Sequence, residues 1–262
     1  MNGLQKSCCL WFVFVGLVAS SVRDESVAAY GFDLSDQATH PEGQGSIIIT
    51  DVYATGYFCV YNSQLAGSQT ITRTISNNTF TLKASFLFGG RGVAMQGAGK
   101  TAPDGDYIKY TGGGACFVRV AGPNAGRNLE GQWVVNPQVL CDRYAQLGIT
   151  DFTGFGNLAI LNPDYATYSQ HSLITGSMGQ PLTPWQSIAV DPSLIPLGRT
   201  GTLLFKNDAI DYDLSNATFR ADDTGGSIKG KRIDIYLGEG QSAWDKWLQS
   251  GGNRMCNIIC FL

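Results

Sequence analysis

The sequence predicts an all-β fold, and three observations carry that expectation. The 262 residues include 33 glycines and 11% aromatics, with only 15% charged residues. That composition suits a β-rich extracellular chain better than a helical cytosolic one. Runs of alternating or β-branched residues recur along the chain, with turn residues between them at short intervals. Helical character is confined to two stretches. The length can bury a full core as one large domain or two small ones.

In chain order, residues 1–29 read as a signal peptide and leader. Lys6 gives a positive start, Cys8 to Val22 is apolar, and small residues lie at Val18-Ala19-Ser20 and Val27-Ala28-Ala29. The apolar run is short of the roughly 20 residues needed to span a bilayer. A soluble, exported chain with no stable membrane anchor is expected, secreted or, in a bacterium, periplasmic or wall-associated. Export makes disulfides the expected state of Cys59, Cys116, Cys141, Cys256 and Cys260, with one cysteine left over. Asn77-Asn78-Thr79 and Asn216-Ala217-Thr218 are glycosylation sequons.

Residues 30–45 read as a loose leader, and Ser46 to Tyr53 is the first strong β run. Further runs fall at Gln69–Ile75, Thr79–Phe88, Tyr107–Tyr110, Ala115–Val120, Gln132–Val135, Ser187–Val190 and Thr202–Phe205. Pro137–Gly148 and Ser242–Ser250 are the two helix candidates. In the second, Trp244, Trp247 and Leu248 form an apolar stripe at helical spacing. Gly122–Asn128 and Asp151–Gly156 are candidate boundaries.

The chemistry concentrates between Ala217 and Gly240. Two short strands, Ala217–Ala221 and Lys231–Leu237, flank a segment rich in aspartate and glycine. In the second strand Ile233, Ile235 and Leu237 share one face, and Arg232, Asp234 and Tyr236 share the other. Gly225, Gly226 and Gly230 allow the connection to turn sharply.

Several other signals are weaker. A net charge of −3 without a basic cluster argues against nucleic-acid binding. His40 and His171 are the only histidines and the Cys/His spacing fits no zinc site, so neither metal nor cofactor is expected. Gly154-Phe155-Gly156-Asn157-Leu158-Ala159 matches GxGxxA, but Pro163 follows and no helix pattern appears, so it reads as a turn. Asp208, Asp211 and Asp213 lack EF-hand spacing and read as a solvated acidic loop. Asp223-Thr224-Gly225 is the tripeptide of aspartic proteases, whose chemistry needs a second such aspartate sharing a proton. The chain contains no second copy.

Three separated segments carry a family resemblance. Ser187-Ile188-Ala189-Val190-Asp191-Pro192-Ser193-Leu194-Ile195-Pro196-Leu197-Gly198 resembles the first signature of the bacterial three-aspartate (3D) domain. Phe219 to Gly230, followed by Arg232-Ile233-Asp234, resembles the second. Met95-Gln96-Gly97-Ala98-Gly99, with Asp104-Gly105 and Tyr107–Tyr110, is similar to the Gln-Gly-x-Gly segment of the membrane-bound lytic transglycosylase A family.

That resemblance implies a double-psi β-barrel with a smaller inserted β domain. The barrel would comprise residues 46–65 and 155–262, and the insert residues 66–154. It implies a monomeric enzyme that binds a cell-wall polysaccharide, peptidoglycan or another β-1,4 glycan, and cleaves it without water to leave a 1,6-anhydro end. Carried over by position, Asp234 is the acid/base and Asp223 its neighbour. Gln96, Gly97, Asp191, Lys229, Arg232 and Tyr236 are the expected substrate-binding residues. A non-catalytic, expansin-like wall-binding module and an aspartic protease are the rival readings. In the binding module, Tyr53, Tyr57, Trp185 and Tyr236 would stack on sugars.

One carboxyl can serve for lytic cleavage, whereas ordinary glycoside hydrolysis takes two. It must begin protonated, which burial and a nearby like charge both favour.

Overall fold

The computed structural model describes residues 45–65, 67, 69–114, 116–152, 157–205 and 217–261. The signal segment, His40, Gly154–Gly156, the acidic cluster Asp208/Asp211/Asp213 and the sequon at Asn216 lie outside these residues.

Six strands close into a barrel. They are β1 (Ser46–Tyr61), β9 (Ser187–Ala189), β10 (Thr200–Phe205), β11 (Ala217–Asp223), β12 (Arg232–Glu239) and β13 (Arg254–Phe261). Their order is β12-β9-β11-β10-β13-β1, and β1 pairs with β12 to complete the ring. Two neighbouring pairs, β1–β12 and β9–β11, are parallel. Each parallel pair joins strands distant in sequence, so the chain crosses the barrel rather than meandering round it.

The far end of β1 leaves the barrel and carries the sheet outward. Val60 and Tyr61 pair with β4 (Ala98–Lys100), followed by β5 (Tyr107–Gly112) and β8 (Thr167–His171). Two further antiparallel pairs lie in this part of the chain: the hairpin of β2 (Thr70–Ile75) with β3 (Asn78–Lys83), and β6 (Phe117–Arg119) with β7 (Leu158–Ile160), which are joined through a long connection. Ser76 and Asn77 connect β2 to β3 at φ of 48° and 69°. These positive values suit the primed two-residue turns that match strand twist, and they leave the Asn77 sequon on an exposed tip.

Four α-helices, α1 (Ala84–Phe88), α2 (Val93–Gln96), α3 (Pro137–Gln146) and α4 (Gln241–Gln249), and two single 3-10 turns, Asn62–Gln64 and Pro163–Tyr165, complete the described elements. Both expected helices are present. In α3, Pro137 occupies the first turn and the Asn136 side chain accepts a hydrogen bond from Gln138 N–H at 3.0 Å. In α4 the inward face is Ala243 and Trp247, while Trp244 stacks on Phe58 with ring centres 5.7 Å apart. Leu248, expected in the apolar stripe, is 55% exposed.

Four expectations need correction. The run Thr79–Phe88 is strand only as far as Lys83 and then becomes α1, because Ala84 to Phe88 are buried on every side and show no alternation. Residues 132–135 form no strand beyond a single bridge, Arg127 with Trp133. β13 was not expected as a strand. Its inward residues Cys256, Ile258 and Cys260 are core positions, and Cys260 serves as a small apolar side chain.

The fourth correction concerns the disulfides: Cys59, Cys116 and Cys260 form none. Cys59 lies opposite Glu239 on β12 and Cys260 lies between Ile47 and Gly201, so pairing within the sheet faces each toward other residues. Burial pushes the Cys59 thiol up to about 12, so it is an inert core group.

Candidate active site

β9 is the seam on which the site is built. Its last residue, Ala189, is the Cα partner of Asp223 on the parallel strand β11 and of Asp234 on the antiparallel strand β12. The two carboxylates therefore stand on either side of one alanine, with Cα atoms about 9–10 Å apart at ordinary strand spacing.

A register shift in β11 between Ala221 and Asp223 sets which carboxylate faces the groove. Asp222 is fully buried and bonded all round. Its Oδ1 accepts from Arg220 Nε at 2.5 Å and Gln180 Nε2 at 2.8 Å, and its Oδ2 accepts from the Ser187 hydroxyl. Asp223 instead reaches the cavity. Its Oδ2 accepts from the Tyr57 hydroxyl at 3.2 Å and its Oδ1 from the Ser177 hydroxyl at 2.7 Å.

Asp234 lies at the floor of the same cavity and is 7% exposed. Parallel pairing of β1 with β12 sets Thr55 beside it, and the Thr55 hydroxyl lies 2.9 Å from Asp234 Oδ1. Burial pushes the Asp234 carboxyl up to about 7, and the charge of Asp223 adds to the effect. The Thr55 hydrogen bond and the charge of Arg232 oppose it. A carboxyl titrating near neutrality can deliver a proton and take one back at physiological pH.

The cavity over Asp234 has a volume of about 260 Å³, and Tyr57, Gln96, Gly97, Asp223 and Arg232 also line it. α2 delivers Gln96. Its Oε1 accepts from Phe58 N–H at 3.1 Å, which leaves the amide nitrogen as the group Gln96 can offer a ligand. Gly97 ends that helix at φ 83°, and its carbonyl accepts from Tyr110 N–H at 2.9 Å. A β-carbon there would meet nothing within 4 Å, so the conformation rather than crowding favours glycine.

The other expected binding residues lie elsewhere. Lys229 is exposed and lines a second, adjoining cavity. Asp191 sits at the surface, where its Oδ1 accepts from Ser193 and its Oδ2 from Gly230 N–H at 2.8 Å. The Gly230 and Ser193 hydrogen bonds hold its carboxyl down at about 2. It clasps the turn between β11 and β12, and does not line the cavity. Tyr236 is 1% exposed and packs against Tyr57 with ring centres 5.4 Å apart, behind the cavity wall. Thr55, Ser177 and Ala189 were not singled out from the sequence. Ala189 lies within the first 3D signature, but nothing local marks Thr55 or Ser177. Among the described residues no group of three or more His, Cys, Asp and Glu side chains gathers to hold a metal ion.

Residues 186–257 match the family model of the 3D domain. This chain carries a 3D domain. The domain holds β9 to β12 and the start of β13, and with them both Asp223 and Asp234. Thr55, Tyr57 and Gln96 come to it from outside the matched residues. No curated protein matches the chain. Among solved structures, E. coli MltA with bound chitohexaose is similar at TM-score 0.49 and 19% identity, covering 81% of this chain and 72% of that one. A membrane-bound lytic murein transglycosylase from Agrobacterium tumefaciens is similar at TM-score 0.49 and 15% identity, covering 80% and 73%. MltA from Neisseria gonorrhoeae is similar at TM-score 0.47 and 16% identity, covering 81% and 72%. Among the described residues no helix is long and apolar enough to cross a membrane.

Proposed function

We propose that this protein is an exported, monomeric lytic transglycosylase that cuts β-1,4 bonds of peptidoglycan or a related wall glycan, with Asp234 as its single acid/base. The observation that carries this reading is Asp234 itself. It is a buried carboxyl at the floor of a cavity within the 3D domain, held up to about 7 by burial.

At neutral pH a substantial share of Asp234 is protonated. It gives its proton to the glycosidic oxygen as the bond to the anomeric carbon breaks, and positive charge develops on the sugar ring. The Asp234 carboxylate, now charged, then takes the proton of that sugar's C6 hydroxyl. The C6 oxygen closes on the anomeric carbon, giving a 1,6-anhydro ring. The proton given is recovered and no water is consumed. Asp223, held by Tyr57 and Ser177, faces the same cavity as a fixed negative charge that favours the cationic transition state.

The arrangement speaks against an aspartic protease. That chemistry needs two carboxyls sharing one proton, whereas Asp223 and Asp234 take hydrogen bonds from different hydroxyls, Tyr57 and Ser177 for one and Thr55 for the other. The division into a barrel of residues 46–65 and 155–262 and an insert of 66–154 belongs to this reading, although β7 and β8 pair with the insert strands β6 and β5 rather than with the barrel. Gln96 from the proposed insert and Asp234 from the proposed barrel line one cavity, which supports a glycan lying between the two parts.

The test is Asp234→Asn with purified peptidoglycan. Soluble product should fall by about 10²–10⁴-fold while the variant remains folded by circular dichroism. Full activity in a folded variant would remove Asp234 from the mechanism.

A further inference from the structure

Beyond Arg232 the groove opens into a second cavity of about 540 Å³, lined by Thr55, Arg119, Glu130, Lys229, Arg232 and Trp244 among others. The two cavities share Leu158, Gly226, Ser227 and Arg232. A ligand over Asp234 can therefore continue into the second without leaving the groove.

The charge on that wall is unbalanced, with three cations facing one acid, Glu130. Arg119, Lys229 and Arg232 form none of the described ion pairs, which involve Arg73, Lys100, Arg143 and Arg220. Arg232 Nε is buried without a hydrogen-bond partner. A buried guanidinium donor left open is costly unless something accepts from it. The three cations also come from separate places: β6, the turn after β11, and the first residue of β12. Only the fold gathers them on one wall.

Resting on the glycan-cleavage reading, we infer that this second cavity binds a carboxylate carried by the glycan next to the bond being cut. Arg232 would take it through the face of its guanidinium that lines both cavities, with Arg119 and Lys229 completing the cationic wall. The cavity that holds Asp234 performs the cleavage, and its neighbour selects an acidic sugar over a neutral one. The carboxylate belongs either to a lactyl ether on the ring or to a peptide attached there.

The inference is tested by equilibrium binding, which needs no turnover and so stands apart from the cleavage test. Asp234→Asn protein is titrated calorimetrically with three probes. The first is a tetrasaccharide of alternating N-acetylglucosamine and N-acetylmuramic acid, and the second is the same compound with its lactyl carboxyls amidated. The third carries a short acidic peptide through those amides. A carboxylated probe should bind about tenfold more tightly than the amidated one, the scale of a single charge-assisted contact. Preference for the first or the third probe distinguishes the lactyl from the peptide source. Adding Arg232→Gln, or Arg119→Gln and Lys229→Gln together, should bring the ratio toward one, with thermal melts confirming folded protein. Equal affinity for all three probes would overturn the inference, as would a preference that survives removal of all three cations.

Discussion

Asp223 and Asp234 share one backbone partner, Ala189, which pairs with Asp223 through β11 and with Asp234 through β12. Two carboxylates eleven residues apart in sequence become neighbours across a single short strand. Their environments differ. Asp223 is held by two hydroxyls, and Asp234 is sunk below the surface with Thr55 beside it.

Burial of Asp234 destabilises the protein above neutral pH. A carboxyl whose pKa is raised from 3.8 to about 7 stays protonated in the folded chain while the unfolded chain ionises. Its cost is absent below about pH 4, grows between pH 4 and 7, and is constant above. Asp234→Asn should therefore be more stable than the parent at pH 8, by roughly 2–4 kcal/mol. The gain should vanish near pH 4. Urea denaturation at the two pH values measures it.

The pH profile of cleavage should report the same group. kcat/KM should fall as pH rises through about 7, where Asp234 loses its proton. Asp223→Asn removes a like charge and should move this basic limb to lower pH. Thr55→Val removes a hydrogen bond that favours the charged form and should move it to higher pH. Steady-state rates between pH 5 and 9 would show the opposite shifts.

Ala189 should tolerate no bulk. It is 4% exposed and lines the cavity between the two aspartates. Ala189→Leu should fill the space over Asp234 and cost about 1–3 kcal/mol of stability from overpacking. Glycan cleavage should be lost in protein that still unfolds cooperatively on a thermal melt.

Asp222 should behave as a structural group. Removing it as Asp222→Ala takes the acceptor from the buried Ser187 hydroxyl and from Arg220 Nε, and leaves Gln180 only the residue's backbone carbonyl. A loss of about 2–4 kcal/mol is expected. Arg220 is half exposed and can rehydrate, which keeps the figure below that of a fully buried pair. Activity per folded molecule should persist, as measured by chemical denaturation alongside turnover.

Asp223, Asp234 and the turn glycines between them were legible because they lie within one short segment and its alternation placed Asp234 opposite the apolar face of its strand. Thr55 was not legible. It meets Asp234 across 179 residues, through a parallel pairing that no local pattern announces. Ser177 reaches Asp223 from a loop 46 residues away. The alternation of β11 alone cannot say that Asp222 turns into the core and Asp223 into the groove, since a register shift decides it. Asp191 and Tyr236 occupy motif and face positions that suggested substrate contact, yet one clasps a turn and the other packs behind the wall. Export makes a disulfide the first expectation for Cys260, yet Cys256, Ile258 and Cys260 alternate as an inward face.

The central claim is that Asp234 cuts the glycan without water, and the most direct measurement is mass spectrometry of products formed in heavy-oxygen water. The account predicts new ends that carry no heavy oxygen and are one water lighter than a hydrolytic product, absent with Asp234→Asn. Ends labelled with heavy oxygen would contradict it, because they would show that water, and not the sugar's own C6 hydroxyl, closes the reaction.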